Sequence, residues 1–194
     1  IGVHVDVLKP LNDLKAAALL AGFELSVCSG FRSFESQLAI WNAKAKGKRP
    51  LLDSQGKLLE PQKLTPEQIL FSILRWSSLP GLSRHHWGTD LDVFDKRTLP
   101  SDYQLKLVPE EFEGEGYFAP LHNWLDKNLL KFGFFRPYAK DLGGVSPERW
   151  HISYFSLAQE YWKNLTLDHI TELLHRSDLE LKGEVEKRLP EIYE

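Results

Sequence analysis

A chain of 194 residues with 42% hydrophobic and 26% charged side chains is long enough for one well-buried core, and its net charge of −3 supplies no basic footprint for nucleic acid or a membrane surface. The longest apolar run, AAALLAGF at 16–23, falls far short of the ~20 residues a membrane-spanning helix needs. A single cysteine, Cys28, excludes an intrachain disulfide and any thiolate-rich zinc site, so a metal centre here must draw on histidine and carboxylate.

The chain starts at Ile1 and contains no methionine, which reads as a processed or trimmed form that has lost any targeting segment. Pro10, the face Leu11, Leu14, Ala18 and the stop at Gly22 predict a helix over 10–21. FELSV at 23–27 alternates apolar and polar as a half-buried strand does, and runs into CSGFRS, where Ser33 caps a helix carrying Phe34, Leu38 and Trp41 until Gly47. Arg32 therefore sits at a strand-to-helix junction. Residues 47–64 read as an excursion loop with a small hairpin around Ser54 to Gly56. Thr65, Pro66 and Gln68 start a helix with Ile69, Leu70, Ile73 and Leu74 inward.

After the loop SSLPGLS comes SRHHWGTDLD at 83–92, then a strand, TDLDVF, with Asp90, Asp92 and Phe94 on one face and Leu91 and Val93 on the other. VPEEFEGEG at 108–116 reads as a solvated acidic loop. Pro120 opens a helix with Leu121, Trp124, Leu125 and Leu129 facing the core, and Gly133 closes it. FFRPY is expected to be extended, DLGGVSP a loop, and WHISYF a strand with His151 and Ser153 on one face. From Ser156 the tail is helical, with Thr166 and Ser177 capping two further helices and the apolar period of Leu181, Val185 and Leu189 running to Pro190. This order predicts one α+β domain over 1–194, a small, mostly antiparallel sheet flanked by helices, with 156–194 a helical C-terminal extension.

Of seven histidines, His169 and His175 lie in the charged tail, His122 in a helix's first turn and His4 near the start, where structural or exposed roles are the expectation. His85, His86 and His151 stand beside acidic residues at strand edges. A catalytic zinc site commonly takes three protein ligands from histidine and carboxylate and keeps an open position. His85 and Asp92 converge if Gly88 turns the chain between them, and His151 arrives from a neighbouring strand. His86, adjacent to His85, points away and is read as a non-ligand. In PERWH, Glu148 lies three residues before His151, just ahead of the strand, which suits a general base rather than a ligand.

SGFRS at 29–33, SRHHWGTDLD at 83–92 and ERWH at 148–151, in this order, resemble the three signature segments of the VanY-type D-alanyl-D-alanine carboxypeptidases. These belong to a zinc peptidase group shared with lysostaphin-like enzymes and the hedgehog domain. The resemblance spans roughly residues 10–156 and implies that fold, with Zn2+ held by His85, Asp92 and His151 and Glu148 as catalytic base. It places Arg32 on the substrate side, stabilising the developing oxyanion or holding a substrate carboxylate, and Ser83 in substrate binding or loop bracing. Where the commonest family pattern has alanine, this chain has Asp90, on the same strand face as Asp92; it is counted with Arg32 and Ser83 in the substrate-binding set, or as an acceptor for a ligand histidine or for Arg32.

The implied activity is zinc-dependent hydrolysis of the terminal D-Ala-D-Ala bond of peptidoglycan stem peptides by a monomer in the periplasm or cell envelope. The alternatives are an endopeptidase or D,D-dipeptidase on the same chemistry, and a zinc-holding domain that binds without catalysis. A structural site would need neither Glu148 nor Arg32, which favours the enzyme.

Overall fold

In the computed structural model, which describes residues 1–193, the two alternating segments around Asp92 and His151 pair as neighbours at the centre of a sheet. The elements are α1 (Leu8–Leu20), β1 (Leu25–Ser29), α2 (Phe34–Ala45), α3 (Pro66–Leu74), β2 (Asp90–Asp95), α4 (Pro109–Phe112), α5 (Ala119–Asn128), β3 (Phe134–Phe135), β4 (His151–Tyr154), α6 (Phe155–Asn164), α7 (Leu167–His175) and α8 (Lys182–Tyr193). The four strands, in the order β1-β2-β4-β3, are antiparallel throughout, an α+β arrangement. The chain divides into two compact units: residues 1–31, 87–139 and 148–161, and residues 32–86, 140–147 and 162 onward.

The first unit holds the sheet. Side chains alternate across a strand, so Leu91, Val93 and Ile152 point to one face, where they pack with Leu11, Leu14 and Ala18 of α1 and Leu121 and Leu125 of α5. The opposite face carries Asp90, Asp92, His151 and Ser153, and the register sets Asp92 against His151 and Asp90 against Ser153. Between Val27 and Ser29 the β1-β2 ladder shifts register, and at this bulge the Cys28 thiol donates to the Asp92 carbonyl at 3.3 Å.

The acidic stretch 108–116 is not a solvated loop. It forms the short helix α4; Phe112 is fully buried with Phe118 and Trp150, and the buried Glu111 carboxylate accepts from Lys106 N (2.9 Å) and Val108 N (3.2 Å). Composition misleads here because one carboxylate closes its own turn and one aromatic anchors it. The expected extended run FFRPY is paired only at Phe134–Phe135.

The second unit is helical. Trp41, Leu70, Ile73, Ile170, Leu174, Val185 and Leu189 share one core, and the Trp41 indole donates to the Glu180 carbonyl at 3.0 Å. From the residues past 161, Ile170, Leu174, Leu179, Val185 and Leu189 enter this core. The excursion 47–64 contains the expected hairpin, with Leu52 bridged to Leu58, and Leu51 is buried in the same core. Two helix boundaries differ from expectation. Ser177 caps nothing, its hydroxyl donating back to Leu174 O (2.8 Å), and α8 begins at Lys182. That helix also runs through Pro190 to Tyr193, because Ile192 packs on the core and the Tyr193 hydroxyl donates to Leu165 O at 2.8 Å. Among the described residues no helix is long and apolar enough to cross a membrane.

Candidate metal centre and active site

The register of β2 against β4 brings His151 face to face with two carboxylates. Its Nε2 lies 2.8 Å from Asp90 Oδ1, and its Nδ1 lies 3.2 Å from Asp92 Oδ1 and 3.6 Å from Glu148 Oε2. Asp90 is fully buried, and its Oδ2 also accepts from the Thr89 hydroxyl (2.6 Å) and the Ser153 hydroxyl (2.9 Å). Both Asp90 oxygens are engaged by protein donors, and its carboxylate accepts from His151, the acceptor role weighed for it beside substrate binding. That bond assigns the Nε2 proton and turns Nδ1 toward Asp92 and Glu148.

Burial pushes the His151 imidazole down, yet its hydrogen bonds to the Asp90 and Asp92 carboxylates and their charges overcome it and raise its pKa to about 10. Two buried carboxylates around one imidazole call for positive charge at Nδ1. Burial, with the Asp92 charge second, pushes the neighbouring Cys28 thiol up to about 12, which keeps it out of ligand chemistry.

Glu148 stands ahead of β4, as its offset from His151 required. Its N–H donates to the Tyr138 carbonyl at 3.0 Å, and His151 N donates to its carbonyl at 3.3 Å, closing a tight turn. The half-buried Tyr138 ring meets the His151 ring edge-on, with centroids 5.0 Å apart. Sequence reading missed Tyr138, because FFRPY carries no periodicity that would mark it.

The other motif residues lie in the second unit. Arg32 N donates to the His85 carbonyl (3.1 Å), and the His86 Nδ1–H donates to the Arg32 carbonyl (2.6 Å), so one backbone and one side-chain bond fasten Arg32 to the His85–His86 turn. His86 Nε2 accepts from Gly81 N (3.1 Å), so both ring nitrogens are occupied and burial lowers its pKa. His86 thereby braces the loop through both ring nitrogens. The Arg32 guanidinium donates from NH1 to Gln37 Oε1 (2.9 Å), and Gln37, fully buried on α2, donates in turn to Ser78 O (2.7 Å). Gln37 too went unread, although a glutamine on the core-facing side of a helix is a signal for a positioned polar group. Ser83 is buried and its carbonyl accepts from His86 N (3.0 Å), the first bond of the turn that carries His85.

Gly88 follows that turn with φ +68°, and a Cβ there would lie 2.9 Å from His4 N. His85 is buried in the second unit, and Asp92 and His151 are buried in the first. Two imidazoles and a carboxylate fit zinc in number and type.

Over residues 1–157 the sequence matches the family VanY: D-alanyl-D-alanine carboxypeptidase. That match covers most of the chain, and the chain belongs to that family. A Haemophilus influenzae protein of uncharacterized function is 46% identical over 79 residues, 40% of this chain and 60% of that protein. A D-alanyl-D-alanine carboxypeptidase of Enterococcus faecalis is 26% identical over 164 residues, 80% of this chain and 50% of that protein. The chain thus matches little more than half the length of these curated relatives. A solved structure of a variant of the vancomycin-resistance D,D-pentapeptidase VanY from a VanB-type cassette, in complex with Zn(II), superposes with a TM-score of 0.56 at 24% identity, covering 84% of this chain and 79% of that one.

Proposed function

We propose that this chain is a zinc-dependent D,D-carboxypeptidase that removes the terminal D-alanine from peptidoglycan stem peptides in the periplasm or cell envelope. The observation that carries it is the convergence of Asp92 and Glu148 on one nitrogen of His151 while Asp90 occupies the other. His85, Asp92 and His151 would hold the ion. Zinc at such a site supplies a Lewis acid that polarises the scissile carbonyl and acidifies water.

The remaining steps fall to the chain's own side chains. Glu148, near the ligand set, takes the proton of the attacking water and returns it to the leaving amine, which restores the carboxylate at the end of each turnover. Arg32, its NH1 held by Gln37, meets the substrate's terminal carboxylate or the developing oxyanion. Ser83 braces the loop that presents His85. No covalent acyl-enzyme forms.

The test is mass analysis of muropeptides after digestion, with and without a chelator. Loss of one alanine, abolished by chelation and restored by zinc, is the expected result. Release of a dipeptide, or cutting of a cross-link, would move the assignment to a dipeptidase or endopeptidase. Bound zinc with no hydrolysis of any wall peptide would make it a binding domain. Glu148→Ala is expected to retain zinc and lose at least a thousandfold in kcat; a variant that kept its rate would remove Glu148 as the base.

A further inference from the structure

Outside the ligand set, the first unit contains a second charged assembly that the proposed reaction does not use. Asp126 on α5 is gripped by two arginines: Arg136 reaches Oδ1 through Nε (3.0 Å) and NH2 (2.9 Å), and Arg149 reaches Oδ2 through NH2 (2.5 Å). Arg149 NH2 also donates to Asn123 Oδ1 at 3.2 Å. Arg136 NH2 lies 3.3 Å from His122 Nδ1, and His122 Nε2 donates to the Val93 carbonyl of β2 at 3.2 Å. A continuous run of polar contacts therefore leads from β2 through α5 to the residue that follows Glu148.

We propose that Asp126 and Arg149 are positioning residues that set where the Glu148 carboxylate points. The inference rests on the reading of Glu148 as the base. Glu148 and Arg149 occupy a turn ahead of β4, closed by His151 N donating to the Glu148 carbonyl at 3.3 Å. Their side chains diverge: Arg149 is drawn to α5, and Glu148 faces His151 Nδ1 at 3.6 Å. Satisfying Arg136 explains one arginine on Asp126, since that side chain is only 10% exposed. It does not explain the second, whose neighbour in sequence is the base. Trp150, two residues past Glu148, packs against Phe112, with ring centroids 5.0 Å apart. Anchored at Arg149 and Trp150 and bonded at its own N–H to Tyr138, the turn has little freedom to swing Glu148 away.

The test uses the zinc-loaded chain and a synthetic peptide ending in D-Ala-D-Ala. Misplacing a catalytic group by about 1 Å costs on the order of a hundredfold. Arg149→Ala and Asp126→Asn are each expected to lower kcat by about ten- to a hundredfold, with KM changed less than twofold and zinc stoichiometry intact. Arg149→Lys, which keeps a positive charge for Asp126, is expected to recover most of the rate. The double variant should be no slower than the worse single one, because both act through the same turn. Full kcat in Arg149→Ala, zinc lost in step with the rate, or losses that multiply in the double variant would each overturn the proposal. Glu148→Ala that remained active would instead remove the base assignment itself, whatever the clamp variants do.

Discussion

At Asp90 a fully buried carboxylate stands on the sheet face of Asp92 and His151, and its neighbours show what it touches. Buried and engaged by Thr89, Ser153 and His151, it holds the His151 ring with Nδ1 presented. Such outer partners typically change metal affinity by ten- to a hundredfold. Asp90→Asn is therefore expected to weaken zinc binding by that factor in a chelator competition, and an unchanged Kd would show the ring is held by other means. His122 carries a different residue-scale consequence. Burial, with repulsion from Arg136 and Arg149 behind it, lowers its pKa from 6.5 to about 3. Between those values the unfolded chain binds a proton that the folded chain refuses, so stability is full above pH 6.5 and drains as pH falls toward 3, by about 1.4 kcal/mol for each pH step of one in that window. His122→Gln should flatten the fall of Tm between pH 7 and 4.5; an equally steep fall would assign acid sensitivity elsewhere. His85, Asp92, His151 and Glu148 were legible as candidates because their residue types and spacing carry the chemistry. The buried acceptors were less so, since nothing in a sequence says which hydroxyls will face Asp90.

Among the elements, those with capping chemistry written in adjacent residues formed where expected. Thr65 and Gln68 make a reciprocal capping box at the start of α3, and Ser33 accepts from Ser36 N at the start of α2. The strand alternation of TDLDVF and WHISYF also survived, because period two separates a polar face from a core face whatever the partner. Elements held by distant contacts did not show: α4 depends on Glu111 and Phe112 going inside, and the last turn of α8 depends on Ile192 and Tyr193. Gly88 belongs to this scale because it sets the turn between the His85 loop and β2. Its positive φ and the 2.9 Å approach of His4 N leave no place for a side chain. Gly88→Ala should cost more than about 1 kcal/mol, read from the urea midpoint. A midpoint at or above the parent's would mean the turn adapts.

For the whole molecule, the two cores divide the labour. One buries the apolar side of the sheet and leaves Asp90, Asp92, His151 and Ser153 on the other side; the second joins α2 and α3 to the C-terminal helices around Trp41. Trp41→Ala should destabilise by about 3–5 kcal/mol and raise hydrogen exchange in α8, which contributes Val185 and Leu189 to that core. Exchange in α8 unchanged from the parent would mean those helices hold without it. By itself the sequence determined the α+β class, the positions of most helices and strands, and a set of metal-capable candidates without thiolates. Those features follow from local periodicity, capping and residue chemistry. Only the tertiary structure decided that Asp90 meets His151, Thr89 and Ser153, that Glu111 and Phe112 are interior, that Gln37 holds Arg32, and that Asp126 gathers two arginines. Each of these depends on partners at least five residues away or on burial, and a linear pattern records neither.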